Sequence, residues 1–441
     1  MRVVFTGITG IRKLRLMQAV ASLASRESGK PANLIHPETL SFIRVLDLDN
    51  EIDKTLGGGR KAFLDMLVNP QKREEAWYKV FDKKIRDLEN FQGHVFLGLH
   101  NWCYRKGQFF SCVNWDVLTR FRPTIFITLF DDVYDVWQRV NDYERDKLKT
   151  NSFFRLDEIL EWRSAEVLAT DILAKNLFIN SENLEGGGNY KSLPVQFQNV
   201  FGKAIPHFTM AVKHPTTTFH RLLFRRRDYP ILYASFPITD TRDAEATRRP
   251  IDQFRKKLHE AYTTIDPLTI DELRFKDIPR KQGFTVASVL RPRWRAMPAG
   301  LSPCIPETLL TDNPFDRVHG SYFDALKESI SARIVSRDLS LVAQADATVG
   351  FRPFYGGQAG ISRGMDKEII TANDLGKGLY IYHPDEDEKG QSKSIFASLR
   401  FANPIQFNNL NELYNELKRF KSAHQRRFDE DKISYTWERE G

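Results

Sequence analysis

The chain has 441 residues, 41% of them hydrophobic, which is enough for two or three domains with ordinary cores. Its 65 basic against 57 acidic residues leave a net charge of +8, a balance that attracts anions such as nucleotides, nucleic acid or acidic membrane surfaces. Three scattered cysteines (Cys103, Cys112 and Cys304) are too few for a disulfide framework or a cysteine zinc site, and no run of about 18 apolar residues is present to span a membrane. Reduced thiols fit a cytoplasmic protein. The densest basic runs are 225–227 and Arg291, Arg293 and Arg295. No zinc-finger, homeodomain or RNA-recognition signature accompanies them, so nucleic acid is not indicated.

Residues 3–5 predict a strand, followed by a glycine turn and a helix. The apolar stretch 16–24 resembles a short secretory leader, but the preceding strand and the spacing of Leu14, Met17 and Ala21 favour a buried helix face. Further strands are predicted over 41–48, 94–99, 123–130, 177–180 and 208–212, with helices over 133–143 and 156–174. Strands alternating with helices predict a parallel sheet covered on both faces. The basic run ending at Asp228 marks the expected boundary, giving a first domain over 1–226 and a second over 227–441. The pattern then restarts. A strand is predicted over 231–236 and a helix over 249–261. Residues 262–315, rich in proline and charge, read as an insertion or flap. A helix over 323–333, a strand over 347–351, a helix over 366–375, strands over 379–382 and 395–399 and a closing helix over 410–420 complete the chain. The predicted fold class is α/β, with two doubly wound parallel-sheet domains.

Between the first strand and the first helix lies Phe5-Thr-Gly-Ile-Thr-Gly-Ile-Arg-Lys-Leu14. Backbone N–H groups at such a junction favour a phosphate, and a lysine there reaches the terminal phosphates. Gly7, Gly10, Arg12 and Lys13 are the candidate phosphate-binding residues. Arg12 replaces the usual glycine, and Leu14 replaces the Ser/Thr that ligates magnesium. The segment resembles the phosphate loop of nucleoside monophosphate kinases, adenylate kinases in particular. A strand ending at His100 and an arginine-bearing segment from Arg139 to Arg155 echo that family. The resemblance implies ATP or another nucleotide at this loop. Without a hydroxyl at position 14, a nucleotide-binding or structural relic is the alternative to a working kinase.

In the second half, Tyr233 lies in the strand Ile-Leu-Tyr-Ala-Ser, with Arg242 after it. Asp338 opens a helical stretch that runs to Asp346 and straight into a strand. Ser362-Arg-Gly364-Met-Asp-Lys-Glu368 forms a turn into a helix. Strand C-terminal ends gather at one edge of a doubly wound sheet, and ligands bind there. A Ser-x-Gly turn at a helix start offers N–H groups and a hydroxyl to a phosphate. These pieces resemble the nucleoside 2-deoxyribosyltransferase superfamily, and within it the 2′-deoxynucleoside 5′-monophosphate N-hydrolases. The resemblance implies that Glu368 is the nucleophile, that Asp338 protonates or positions the leaving base, and that Tyr233 orients the glutamate. It also implies that Ser362, Gly364, Arg242 and Asp346 bind the substrate, with the phosphate at the first three. The family needs no metal or other cofactor for this chemistry, and its simple members pair as homodimers.

Each residue has a structural alternative: Glu368 as a helix N-terminal carboxylate, Asp338 as a helix cap, Tyr233 as core. The sequence therefore supports an enzyme that cleaves or exchanges the N-glycosidic bond of a nucleotide. Nucleotide binding to the first domain would gate it, as in a nucleotide-depleting antiviral effector. The alternatives are an inactive nucleotide-binding sensor and a nucleoside monophosphate kinase.

Overall fold

A computed structural model describes the chain apart from residues 29–41, 57–58, 67–68, 90, 106, 149–153, 183–204, 239–244, 271, 273–300, 302–319, 353–362, 385–403 and 438–441. It divides into two compact units, Met1–Val212 and Lys213–Gly441. The division falls before the basic run where the sequence placed it. Helix Thr216–Phe224 goes with the second unit because Arg221 donates to the carbonyl oxygens of His259, Glu260 and Tyr262. Arg226 goes with it too, through an ion pair to Asp346.

The first unit carries strands β1 (Arg2–Thr6), β2 (Ile43–Asp47), β3 (His94–Gly98), the hairpin β4 (Trp102–Arg105) and β5 (Gln108–Ser111), β6 (Ile125–Phe130) and β7 (His207–Ala211). Its main sheet runs β2-β3-β1-β6-β7, all parallel. Every residue of β6 is buried, as a strand covered by helices on both faces requires. Three helices matter for the site: α1 (Lys13–Ser28), α2 (Leu48–Thr55) and the long α3 (Leu156–Glu182). The strand expected over 177–180 is instead the last part of α3. Leu173, Ala174 and Leu177 are buried at helical spacing on one face, and that face continues the helix through the apolar run. The β4–β5 hairpin was not anticipated.

The second unit carries helix α4 (Thr216–Phe224), β8 (Ile231–Ser235), α5 (Glu245–Ala261), β9 (Thr263–Ile265), α6 (Gly320–Gln344), β10 (Ala347–Phe351), α7 (Arg363–Asp374), β11 (Gly378–Tyr382), β12 (Ile405–Phe407) and α8 (Leu410–Trp437). The sheet runs β12-β11-β10-β8-β9 and is again wholly parallel. One core cluster joins Leu232, Ala234, Phe254, Val349, Leu413 and Leu417. Phe351 stacks on Phe254 at 4.5 Å and on Tyr382 at 5.3 Å, which ties α5 to β10 and β11.

Two expectations change here. The stretch 262–315 does not begin as an insertion: it opens with the edge strand β9 and a 3-10 turn, Pro267–Thr269. Asp338 does not open a helix, because buried Ile330 and Ile334 continue the apolar face to Leu341 and Val342, making α6 one helix. β12 was not predicted, and the strand expected over 395–399 lies outside the described residues. Among the described residues, no helix is long and apolar enough to cross a membrane.

Candidate active site

Side chains alternate along a strand, so Tyr233 and Ser235 of β8 share a face. That face meets α7, near whose start lies Glu368. Tyr233 Oη donates to Glu368 Oε1 at 2.8 Å, and Ser235 Oγ donates to Oε2 at 2.5 Å. Each oxygen of the carboxyl thus has its own hydroxyl donor. Glu368 is 7% exposed as a residue, and its carboxyl is buried.

Asp338 comes to this cluster from α6, which packs against both α7 and β8. Burial, then the charge of Asp338, push the Glu368 carboxyl up to about 8, against the pull of Ser235, Tyr233 and Arg337. Burial first, then Glu368 and Asp338, likewise hold the Tyr233 phenol well above its ordinary value. Arg337 donates to Asp338 at 2.9 Å and to Glu272 Oε2 at 3.3 Å. Burial disfavours the Arg337 charge, but Asp338 and Glu272 outweigh it and raise that group overall. The three side chains chosen from sequence as catalytic, Tyr233, Asp338 and Glu368, therefore stand in one electrostatic cluster.

Sequence reasoning missed three members of it. Ser235 was legible as the next residue on the Tyr233 face of the strand. Arg337 was legible as the neighbour of Asp338. Glu272 had no local signal, because only the fold brings it to Arg337 from 65 residues away.

The substrate-binding candidates fare differently. Gly364 is exposed in the first turn of α7. Ser362 and Arg242 lie outside the described residues. Asp346 does not belong to the site. It precedes β10, accepts from the Ile231 N–H at 2.6 Å and pairs with the fully buried Arg226. Ile231 and Ala347 begin their parallel strands, so Asp346 sits at the N-terminal edge of the sheet, away from the C-terminal end that carries Ser235. Burial pushes its carboxyl up, but Arg226 outweighs that and holds it below its ordinary value. Its task is to clamp the start of two strands.

In the first unit the glycine loop follows β1, where a phosphate loop was expected. Gly7, Gly10 and Arg12 all have positive φ (137°, 88° and 62°). A Cβ at Gly7 would lie 2.6 Å from the Leu129 carbonyl oxygen, so only glycine fits there. Lys13, at the start of α1, is buried. Its Nζ donates to the Gly7 carbonyl at 2.8 Å and lies 3.1 Å from His100 Nδ1. His100 Nε2 meets Asp49 Oδ2 at 2.6 Å. The Gly7 N–H, which would face a phosphate, donates instead to Glu166 Oε1 of α3 at 3.1 Å. The same carboxylate accepts from the Asn101 and Trp102 N–H groups at 2.8 and 2.9 Å. Glu166 therefore lies between the ends of β1 and β3, where the strand order reverses and an anion would bind. Burial raises its carboxyl above the ordinary value, against these three donors and Lys13. Gly7 and Lys13 thus serve internal partners in this arrangement. Arg12 lies beside Arg139, Asp131 and Asp135, with burial first and then Arg139 lowering its pKa.

Among the described residues, no group of three or more His, Cys, Asp or Glu side chains is arranged to hold a metal ion. No family model matches the chain, and no curated protein matches its sequence.

Proposed function

We propose that the second unit is a nucleotide N-glycosidase, in which ionised Glu368 attacks the anomeric carbon of a nucleotide sugar. The observation that carries this reading is the pair of hydroxyl donors, Tyr233 and Ser235, on the two oxygens of a nearly buried glutamate beside Asp338. Attack forms a glycosyl ester as the bond from the anomeric carbon to the base breaks, and water then resolves the ester. The two hydroxyls favour the charged glutamate and fix which oxygen lone pairs are presented. Asp338, held by Arg337 at 2.9 Å, protonates or positions the leaving base. With Glu368 titrating near 8, only about a tenth is ionised at pH 7, so activity rises with pH up to the region of that value.

The alternative, a ligand sensor without turnover, is favoured by one feature: both Glu368 oxygens already have partners inside the protein. A kinase reading of the first unit is weakened by Leu14 and by the engagement of Lys13 with Gly7 and His100. The test is incubation of the purified chain with a panel of nucleoside mono-, di- and triphosphates and NAD at about pH 8, with chromatography for free base. Release by the wild type and none by Glu368→Gln supports the enzyme. Release by neither protein refutes it and supports the sensor.

A further inference from the structure

The register of the second sheet places two more side chains on the face that carries Glu368. Tyr233 pairs with Thr348 and Ser235 with Gly350 across the parallel β8–β10 ladder. Neighbours in register share a face. A Cβ at Gly350 would lie 3.1 Å from Met365 of α7 and 3.3 Å from Ile381 of β11, so this is the α7 side. Arg352 follows Gly350 by two residues, and its N–H donates to the Tyr382 carbonyl, so the ladder continues and its side chain returns to the same face. On β11, Ile381 pairs with Gly350, and His383 follows Ile381 by two residues. The His383 N–H donates to the Phe407 carbonyl, which extends that ladder as well. Arg352 Nη1 and His383 Nε2 are hydrogen-bonded to one another, as a shared face requires.

We infer that Arg352, supported by His383, is the phosphate-binding group of the Glu368 site, and that its ligand is a sugar carrying a phosphate monoester. The inference rests on the glycosidase reading only for which sugar phosphate it is. Arg352 lies two residues, or about 7 Å of strand rise, beyond the level of Ser235. That is the span from the anomeric carbon to the 5′-phosphate of a nucleotide. Glu368 at the inner level and Arg352 at the outer one thus match the two ends of a ribose 5-phosphate unit.

Charge and chemistry fit the same assignment. A guanidinium offers a planar fork to two phosphate oxygens and keeps its charge at every physiological pH. The bond between Arg352 Nη1 and His383 Nε2 orients the fork. Both side chains are nearly buried, at 3% and 6% exposure, so a phosphate there sits out of bulk water, where charge-assisted bonds are strongest. The start of α7, with Gly364 in its first turn, adds N–H groups at the same edge of the sheet. Phosphate recognition, which the sequence assigns to Ser362, Gly364 and Arg242, thereby gains a cation just past the end of β10.

The test is calorimetric titration of the full chain with ribose 5-phosphate, ribose and inorganic phosphate. The proteins are wild type, Glu368→Gln, Arg352→Ala and Arg352→Lys, each checked by its melting curve. Ribose 5-phosphate is expected to bind wild type and Glu368→Gln more tightly than ribose does. Arg352→Ala should weaken that binding by about tenfold or more and leave ribose unchanged. If Arg352→Ala does not fold, Arg352→Lys, which keeps the charge and loses the fork, should still weaken ribose 5-phosphate by about threefold. Equal binding of ribose and ribose 5-phosphate to wild type overturns the inference, as does undiminished ribose 5-phosphate binding by a folded Arg352 variant. Inorganic phosphate competing as well as ribose 5-phosphate would show a free-anion site and overturn the sugar-phosphate assignment. These readouts need no turnover. A chain that binds ribose 5-phosphate through Arg352 but frees no base retains this subsite and loses the glycosidase. A chain that frees base while Arg352→Ala binds normally does the reverse.

Discussion

Replacing Glu368 by Gln should stabilise the second unit, and the gain should grow with pH. The Glu368 carboxyl titrates near 8 in the fold against an ordinary 4.5. Below pH 4.5 the group is protonated in both folded and unfolded chains, so it contributes no difference. Between 4.5 and 8 the unfolded chain releases the proton while the folded one holds it, so stability falls as pH rises. Above 8 both are ionised and the loss is complete. At ~1.4 kcal/mol per pH unit, the loss is under ~1 kcal/mol at pH 5 and ~4 kcal/mol at pH 8. Glutamine is neutral throughout, can still accept from Tyr233, and can donate to Ser235 once that hydroxyl turns. The variant should therefore gain ~3 kcal/mol more over wild type at pH 8 than at pH 5. For a unit of this size that is a widening of the gap in melting temperature by ~6–12 °C. Thermal unfolding followed by circular dichroism at the two pH values measures it, with other titrating groups cancelling between the proteins. A gap that is the same at both pH values, or a variant that melts lower at pH 8, would refute the buried, proton-holding glutamate. A gain in stability with a loss of activity is the usual signature of a carboxylate kept for function.

Tyr233→Phe removes one of the two hydroxyls that favour ionised Glu368. Base release at pH 7 should fall by about tenfold and its pH profile should move to higher pH, which a pH–rate series reads. Asp346→Ala leaves the fully buried Arg226 without its carboxylate and should cost ~3–5 kcal/mol in urea unfolding. Because Asp346 lies at the opposite edge of the sheet, turnover per folded molecule should be unchanged. Gly7→Ala sets a Cβ 2.6 Å from the Leu129 carbonyl oxygen at a φ of 137°, and should destabilise the first unit by about 1–3 kcal/mol in hydrogen exchange or melting. An unchanged melt would mean that the loop relaxes away from β6.

Much of this protein is written locally. Apolar runs such as 125–130 mark fully buried strands, and their alternation with helical periods predicts two parallel sheets. Tyr233, Asp338 and Glu368 stood out through the order of short motifs, and the fold brings their charges together. The failures share one cause. Residues 177–180 are β-prone in composition, yet the buried face of α3 carries them as helix. Asp346 looks like a second site carboxylate along the chain, but the direction of the strands sends it to the far edge, against Arg226. Glu166 reaches the glycine loop from 159 residues away, and no local pattern announces that a carboxylate will take the N–H of Gly7. Periodicity and turn chemistry, which act over a few residues, determined the elements and the candidate side chains. Which sheet edge a side chain reaches, and which charges face it there, was decided by packing between segments remote in the chain. Burial then set the protonation of Glu368 and tied Arg352 to His383.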